Sequence, residues 1–457
     1  MRVTSALRHV LGAVLVTLLA ACGAPAMSPT TSPSALAAPN QSASPSEAAA
    51  IGAVEPAPGS DSAVYAPNPG AIVVAIDAGH GGCLDWGVPD PSQRGVELAE
   101  KTLTLEIARR LRDRLEAEGV TVVMIRDDDV ALAGDLYPDL GCNGPAWRDV
   151  NGDGEAGFDP EGAIRTRDEL QARLDVANLA QADAFLSIHI NSPFDGGQSI
   201  QVAFSETFYT DETPWGVDVT QPLARAVQDG VVAELGAVAD YERGDRGITA
   251  HNFYLVAPPL FEPTPERPDP IKQPTRGALM PTVLSEVGSI TLRDEHDLLA
   301  SPEGQEAVAA GLFDGIARFL GERGQAVRIG LDDMAVGAVP DAAEGSGPPY
   351  LAWPAPDAGS WRLRITNIGT EPIAEGSRLV AGWEATDAPY LYLPPSELAE
   401  IGEALPALDP GESVAVSVEV PGPARGSRAL AWISLRTGTS TLAEHGSPAL
   451  QLANATP

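Results

Sequence analysis

The sequence predicts an α/β domain with a mostly parallel sheet flanked by helices, followed by a small all-β sandwich. Three observations support this fold class. Short apolar runs such as Ile72–Ile76 are typical of strands that are buried on both faces. These runs alternate with helical patterns, and such alternation produces parallel strands joined by right-handed crossovers. Beyond residue 327 the pattern changes to short stretches with a period of two, which indicate a β domain.

The first domain is predicted to span residues 70–323. Its strands are expected at 72–76, 120–125, 184–190 and 282–287, and its helices at 100–118, 167–181, 221–235 and 306–320. The first helix has the clearest pattern, because a leucine or isoleucine recurs every four residues from Leu103 to Leu115 and Gly119 follows as a C-terminal cap. The alternation of these elements predicts one sheet between two helical layers.

Residues 327–457 are predicted to form the β-sandwich. Ser413–Val420 places valine at every second position, directly after the turn-forming residues Asp409–Glu412. The domain resembles the immunoglobulin-like appendages of bacterial surface proteins, which implies a role in attachment or spacing. Its sequence shows no catalytic cluster.

The first 22 residues are predicted to be a lipoprotein signal peptide. Arg2 and Arg8 precede an apolar run, residues 10–19, that is too short for a membrane span. Leu19–Cys22 resembles a lipobox, in which Cys22 is acylated and becomes the mature N-terminus; a plain secretory signal is the alternative. Residues 23–69 are rich in Ala, Pro and Ser and are predicted to form a disordered tether. These features predict an exported protein that a lipid anchors to the cell envelope outside the cytoplasm.

The charge of the chain excludes one class of partner. Lys and Arg number 29 against 63 Asp and Glu, which gives a formal net charge of −34. A nucleic-acid-binding protein needs a basic face to displace counterions from phosphates. We therefore expect no nucleic-acid partner, and we attribute the acidity to a solvated surface rather than to cation attraction.

Ionisable side chains stand next to the predicted strands, where open α/β sheets place their sites. His80 lies among glycines after the first strand, Glu100 begins the first helix, and His189 lies near the end of the third strand. Two imidazoles and a carboxylate with an open fourth position are the usual ligands of a hydrolytic zinc ion. Glu286 lies in an apolar strand, where a carboxylate needs a cation or proton nearby. Taken singly, each residue also has a structural explanation, such as the helix dipole for Glu100.

Five segments, taken in order, resemble the zinc-dependent N-acetylmuramoyl-L-alanine amidases over about residues 71–322. The segments are Ile76–Gly82, Glu100–Leu105, Arg126–Asp127, Ser187–Asn191 and Val283–Gly288. The resemblance implies an amidase-type fold and hydrolysis of the amide bond between N-acetylmuramic acid and L-alanine in peptidoglycan. Ala78 departs from the family pattern, which usually has proline at this position.

The resemblance also implies roles for individual residues. His80, Glu100 and His189 would bind zinc, and Glu286 would act as general base and general acid. Asn191, at the end of the segment that contains His189, is a candidate substrate-binding residue.

Two questions of assignment stay open in the sequence. Glu97 competes with Glu100 for the ligand role, although the Lys101 that follows favours Glu100. The alternative functions are a zinc peptidase that cuts within the peptide stem and a catalytically silent wall-binding lipoprotein. A catalytically silent protein would be expected to lack one of the metal-binding or catalytic residues. All four candidate residues are present in the sequence.

Residues 127–166 resemble an insertion into the family pattern and contain a candidate calcium loop. Side chains with oxygen donors occur at every second position, as in an EF-hand-like loop, and Gly154 stands at the position of the loop glycine. These side chains are Asp149, Asn151, Asp153 and Glu155. The bidentate glutamate of such loops is absent, because Pro160 stands at the twelfth position. A polar turn without calcium is the alternative.

Two cysteines remain once Cys22 carries lipid. Cys83 and Cys142 can form a disulfide in an oxidising compartment. Such a bond would fix the insertion beside the zinc site. Two unrelated buried thiols are the alternative.

Overall fold

The computed structural model describes residues 72–88, 95–152, 154, 156, 167–195, 198–259, 274, 276–332, 352–353, 360–386, 388–419 and 429–454. The predicted signal peptide, Cys22 and the predicted tether lie outside these residues. So do Asp153 and Glu155 of the candidate calcium loop. Within the described part of the chain, no helix is both long and apolar enough to cross a membrane.

A six-stranded sheet forms the centre of the first region. The strands in chain order are β1 Val73–Ala78, β2 Thr121–Met124, β3 Leu136–Tyr137, β4 Cys142–Asn143, β5 Ala184–Asn191, β6 Phe194–Asp195, β7 Gln198–Ser199, β8 Phe204–Tyr209, β9 Gly244–Ala250 and β10 Thr282–Ser289. The central sheet has the order β2-β1-β5-β10-β8-β9, while β3 pairs with β4 and β6 with β7. β2, β1, β5 and β10 run parallel, and β8 pairs antiparallel with β10. The predicted α/β fold with a mostly parallel sheet is confirmed.

Helices cover both faces of this sheet. They are α1 Glu100–Ala117, α2 Arg167–Leu179, α3 Gln221–Val238, α4 Arg293–Ala300 and α5 Pro302–Glu322. Side chains along β1 alternate between the faces, as the pleat of a strand requires. Val74 and Ile76 share a core with α1, α3 and α5, whereas Val73 and Ala75 share a core with α2.

The sequence does not predict β8, β9 or α4. β9 is mostly exposed, so its residues show no apolar pattern. α4 has only eight residues, which is too short for a helical period to stand out. These elements depend on their neighbours in the fold rather than on local pattern.

The C-terminal region contains two β-sheets. Its strands are β11 Val327–Leu331, β12 Ala352–Trp353, β13 Ser360–Asn367, β14 Arg378–Ala385, β15 Ala399–Ile401, β16 Ser413–Glu419, β17 Ala429–Thr437, β18 Ser440–Thr441 and β19 Leu450–Asn454. One sheet has the order β11-β13-β16, and the other has the order β12-β19-β17-β14-β15 with β18 paired to β17. Side chains from both sheets, such as Leu363 and Ile433, share one core. Two sheets that bury a common core form a β-sandwich.

The β region packs against the edge of the central sheet where the parallel strands begin. Asp183, directly before β5, accepts hydrogen bonds from the backbone N–H of Val73 at 2.8 Å and from the guanidinium of Arg328 in β11. Tyr390 is buried and donates its hydroxyl hydrogen to Asp175 of α2 at 2.6 Å. Buried polar contacts of this kind fix the two regions to each other.

Replacing Arg328 with methionine is expected to lower the free energy of unfolding by about 3–5 kcal/mol, because the buried Asp183 carboxylate loses its closest cation. Arg378→Met is the matched control, since Arg378 is a partly exposed arginine of the same region at 3.8 Å from Glu400. The control is expected to cost about 1 kcal/mol or less. Urea unfolding of both variants gives the comparison, and equal losses would contradict the role of the interface.

Candidate active site at the C-terminal edge of the sheet

Three residues with metal-binding side chains meet where the parallel strands end. His80 follows β1, Glu100 is the first residue of α1, and His189 lies near the end of β5, the neighbour of β1. One donor atom from each side chain lies within 4.8 Å of the other two. Glu97 is exposed, so it is Glu100 that lies with the histidines.

The backbone around His80 is strained and closely packed. His80 has a left-handed conformation with a φ of 62°, which costs a residue other than glycine about 1–2 kcal/mol. Gly79 allows β5 to approach, because a Cβ at Gly79 would lie 2.5 Å from Cε1 of His189. Nδ1 of His80 contacts Oδ1 of Asp85 at 2.7 Å, while Nε2 lies 3.2 Å from Oε1 of Glu100. Strain of this kind is typical of functional sites.

Glu100 holds the centre of the cluster. Its side chain is buried, and Oε1 lies 3.2 Å from Nε2 of His80 and 3.2 Å from Nδ1 of His189. Backbone N–H groups of Ile190 and Val88 donate to its two oxygens at 2.9 and 2.8 Å. Burial alone would raise the pKa of Glu100, but the charges and hydrogen bonds of His80 and His189 hold the pKa below its usual value. Glu100 is therefore ionised at neutral pH.

These donors suit a divalent zinc ion. Two imidazoles and one carboxylate leave a fourth position open, which is the ligand set of hydrolytic zinc sites. The ligands are also oriented by further contacts, as metal sites require: Asp85 fixes the ring of His80, and backbone N–H groups fix Glu100. Burial would lower the pKa of His80, yet the Asp85 and Glu100 carboxylates raise that pKa well above its usual value. The same negative field attracts a cation.

Glu286 lies beside this cluster on β10. Its Cα is in register with His189 on β5 and with Glu206 on β8, and residues in register point to the same face of a sheet. Its Oε2 atom is buried and has no hydrogen-bond partner among the described residues. Burial and the negative charge of Glu100 raise the pKa of Glu286 well above its usual value. A carboxyl group in this state can exchange a proton with a bound ligand.

Two buried arginines support the backbone beneath the site. Arg173 of α2 contacts Oδ1 of Asp77 at 2.5 Å and donates to the carbonyl oxygen of His80 at 2.7 Å. Arg126 donates to the carbonyl oxygen of Ala78 at 2.8 Å. These bonds satisfy carbonyl groups that the end of β1 leaves without sheet partners, and they hold His80 in its strained conformation.

The sequence does not single out Asp85 or Arg173. A signal for Arg173 exists, because it lies three residues after Leu170 and four before Ala177, on the apolar stripe of its helix. A charge on such a stripe needs a buried partner. Asp85 has no comparable signal, since only the folded loop brings it back to His80.

The segment that contains Cys142 is bonded to the loop that contains His80. Cys83 and Cys142 form a disulfide, with their Cα atoms 5.8 Å apart. The backbone N–H of Cys83 also donates to Oδ2 of Asp135 at 2.7 Å. Residues Asp135 and Cys142 are thereby fixed next to the loop of the candidate metal site.

Two other predictions are not tested by these contacts. Within the candidate calcium loop, the Asp149 carboxylate accepts the backbone N–H groups of Gly152 at 2.7 Å and Gly154 at 2.9 Å, a geometry that turns also adopt. Asn191 is half-buried at the end of β5, and its carbonyl oxygen accepts the N–H of Ile290 at 2.9 Å. Calcium binding by the loop that contains Asp149 stays a prediction. Substrate contact by Asn191 also stays a prediction.

The fold and the donor set define the class of protein, an α/β protein whose sheet edge can hold one divalent metal ion. A family model described as N-acetylmuramoyl-L-alanine amidase matches residues 74–318, which is more than half of the chain. The chain belongs to this N-acetylmuramoyl-L-alanine amidase family.

Curated relatives and solved structures also match more than half of the chain. The germination-specific N-acetylmuramoyl-L-alanine amidase of Bacillus subtilis (strain 168) is 27% identical over 252 residues, covering 55% of this chain and 81% of the relative. An N-acetylmuramoyl-L-alanine amidase of Mycobacterium tuberculosis is 25% identical over 277 residues, covering 57% of this chain and 90% of the relative. The structure of the amidase AmiC2 of Nostoc punctiforme is 25% identical with a TM-score of 0.36, covering 55% of this chain and 97% of that one.

Proposed function

We propose that this chain hydrolyses the amide bond between N-acetylmuramic acid and L-alanine in peptidoglycan, with a zinc ion bound by His80, Glu100 and His189. The family match supports the reaction. The observation that carries the proposal is the convergence of three donor atoms within 4.8 Å of one another. Glu286 supports it further, because this carboxyl group lies in register with His189.

Each residue of the site has a task in this reaction. Zinc in such a site polarises a carbonyl group and lowers the pKa of water. Glu286 takes a proton from the attacking water and delivers it to the nitrogen of the departing L-alanine. Its buried Oε2 atom supports this task, since it has no hydrogen-bond partner in the part of the chain that the structure describes and can contact a ligand. Asn191, at the end of β5, is proposed to contact the substrate.

We also propose that the protein is exported and anchored to the cell envelope by a lipid on Cys22. The sequence pattern around Cys22 supports this location. The disulfide between Cys83 and Cys142 supports export as well, because structural disulfides persist in oxidising compartments.

Digestion of purified peptidoglycan by the zinc-loaded protein tests the reaction, with the products identified by mass spectrometry. We expect intact peptide stems that carry a free L-alanine amine, and we expect chelation to abolish their release and added zinc to restore it. Cleavage between two amino acids would instead identify a zinc peptidase. Zinc binding without any product would favour a catalytically silent wall-binding protein.

A further inference from the structure

Trp86 stands at the rim of the candidate metal site, and the proposed mechanism does not use it. The residue is 39% exposed. The next residue, Gly87, is in contact with the site, because a Cβ there would lie 2.5 Å from Oε2 of Glu100 and 2.6 Å from Cδ2 of His80. The carbonyl oxygen of Trp86 accepts the N–H of Lys101, in the first turn of α1, at 3.3 Å. Trp86 is therefore the chain neighbour of a residue that packs against two candidate ligands.

The indole ring is held in place from within the protein. Its Nε1–H donates to the carbonyl oxygen of Cys83 at 2.8 Å, and Cys83 is bonded to Cys142. The buried ammonium group of Lys101 lies 4.9 Å from the ring centroid and donates to the carbonyl oxygen of Gly82 at 2.6 Å. The indole N–H is therefore bonded within the protein, and the ring also makes a cation–π contact with Lys101. What remains exposed is apolar aromatic surface in a fixed orientation.

The disulfide connects the Trp86 loop to a segment with further exposed apolar side chains. Among the described residues, six large apolar side chains are exposed; Trp86 lies three residues from Cys83, and Leu136 and Leu140 lie within six residues of Cys142. Trp86 is therefore covalently linked to a part of the chain that also exposes apolar surface.

We propose that Trp86 is the stacking platform of a subsite for the glycan strand, on which the apolar face of an N-acetylated pyranose ring packs. This inference rests on the proposed function and names the part of the substrate that the rim recognises. A fixed indole without a free N–H binds through its π face, and the C–H face of a pyranose ring matches such a surface. Backbone amides and charged groups of a peptide stem would instead need hydrogen-bond partners.

Isothermal titration calorimetry of the full, zinc-loaded protein tests the subsite. The probe is a stem-free glycan chain of alternating N-acetylglucosamine and N-acetylmuramic acid, which lacks the scissile amide, so binding is measured without hydrolysis. Trp86→Ala is expected to weaken binding about tenfold, whereas Trp86→Phe retains most of it because the aromatic face remains. Leu393→Ala, at an exposed position of the β region, is the control and leaves binding unchanged. Equal zinc content in all variants shows that the site has folded.

The outcomes separate the subsite from the reaction. Equal glycan dissociation constants for the wild type and Trp86→Ala would overturn the subsite, and so would the absence of glycan binding by the wild type. The subsite would also be overturned if Trp86→Ala weakened the binding of free stem peptides but not the binding of the glycan. If glycan binding depends on Trp86 but digestion releases no L-alanine amine, the subsite stands and the proposed reaction fails. If digestion proceeds and Trp86→Ala binds glycan as the wild type does, the reaction stands and the subsite fails.

Discussion

Glu286→Gln is expected to lower kcat on peptidoglycan by about 10²–10⁴-fold, the usual contribution of a general acid–base group. Glutamine has nearly the same shape but can neither accept the proton of the attacking water nor pass it to the leaving amine. Zinc content is expected to stay at the wild-type level, because Glu286 is not among the three converging donors. Product release measured by mass spectrometry, together with zinc analysis, checks both expectations.

Glu206→Gln provides the matched control for this variant. Glu206 is the cross-strand neighbour of Glu286, and its Oε1 accepts the hydroxyl hydrogen of Thr249 at 2.8 Å. We expect Glu206→Gln to retain kcat within a few-fold, since its carboxylate already has a protein partner. A wild-type kcat for Glu286→Gln would refute its assigned role. Equal losses in both variants would mean that the two carboxylates act as a pair.

The stability of Glu286→Gln distinguishes a catalytic role from a structural one. A buried carboxyl oxygen without a partner contributes no stabilising bond to the described fold. Replacing it with a neutral amide should therefore leave the melting temperature unchanged or raise it, because the cost of burying charge is removed. A lowered melting temperature would indicate that Glu286 supports the fold.

Local patterns in the sequence predict the parts of the site that lie at the ends of buried strands. His80 and His189 stand out because each polar side chain follows an apolar run, and the parallel pairing of β1 and β5 brings them together. Glu100 stands out because it begins a helix with a clear apolar period. For the same reason, the strands β1, β5 and β10 are predicted to within a few residues of their ends.

Contacts between distant segments are the part that local patterns do not predict. Glu206 lies beside Glu286 only because β8 pairs antiparallel with β10, and the sequence does not predict β8. Asp85 reaches His80 through a loop that the disulfide and Lys101 hold in place. The docking of the β region likewise depends on single buried pairs, such as Asp183 with Arg328, which leave no periodic signal.

His189→Ala is expected to abolish stoichiometric zinc binding and with it the release of stems. Among the described residues, the His189 imidazole is one of three donors that converge here, and two remaining donors, His80 and Glu100, would be too few for the ligand set of a hydrolytic zinc site. Zinc at 100 times its dissociation constant should stabilise the wild type by about 2.7 kcal/mol, so the melting temperature of the wild type should rise with added zinc. The melting temperature of His189→Ala should not respond.

Two further variants separate loss of a ligand from a general effect of removing polar groups. His445→Ala removes an exposed histidine of the β region and should leave zinc binding unchanged. Asp85→Asn keeps all three donors but weakens the contact that orients His80, so zinc affinity should fall by about 10–100-fold rather than vanish. Zinc affinity should therefore be unchanged in His445→Ala, lower in Asp85→Asn and lost in His189→Ala. This order is expected only if the metal binds at this edge of the sheet. If added zinc raised the melting temperature of His189→Ala as much as that of the wild type, the ion would bind elsewhere. That result would also contradict the assignment of His80 and Glu100 as ligands.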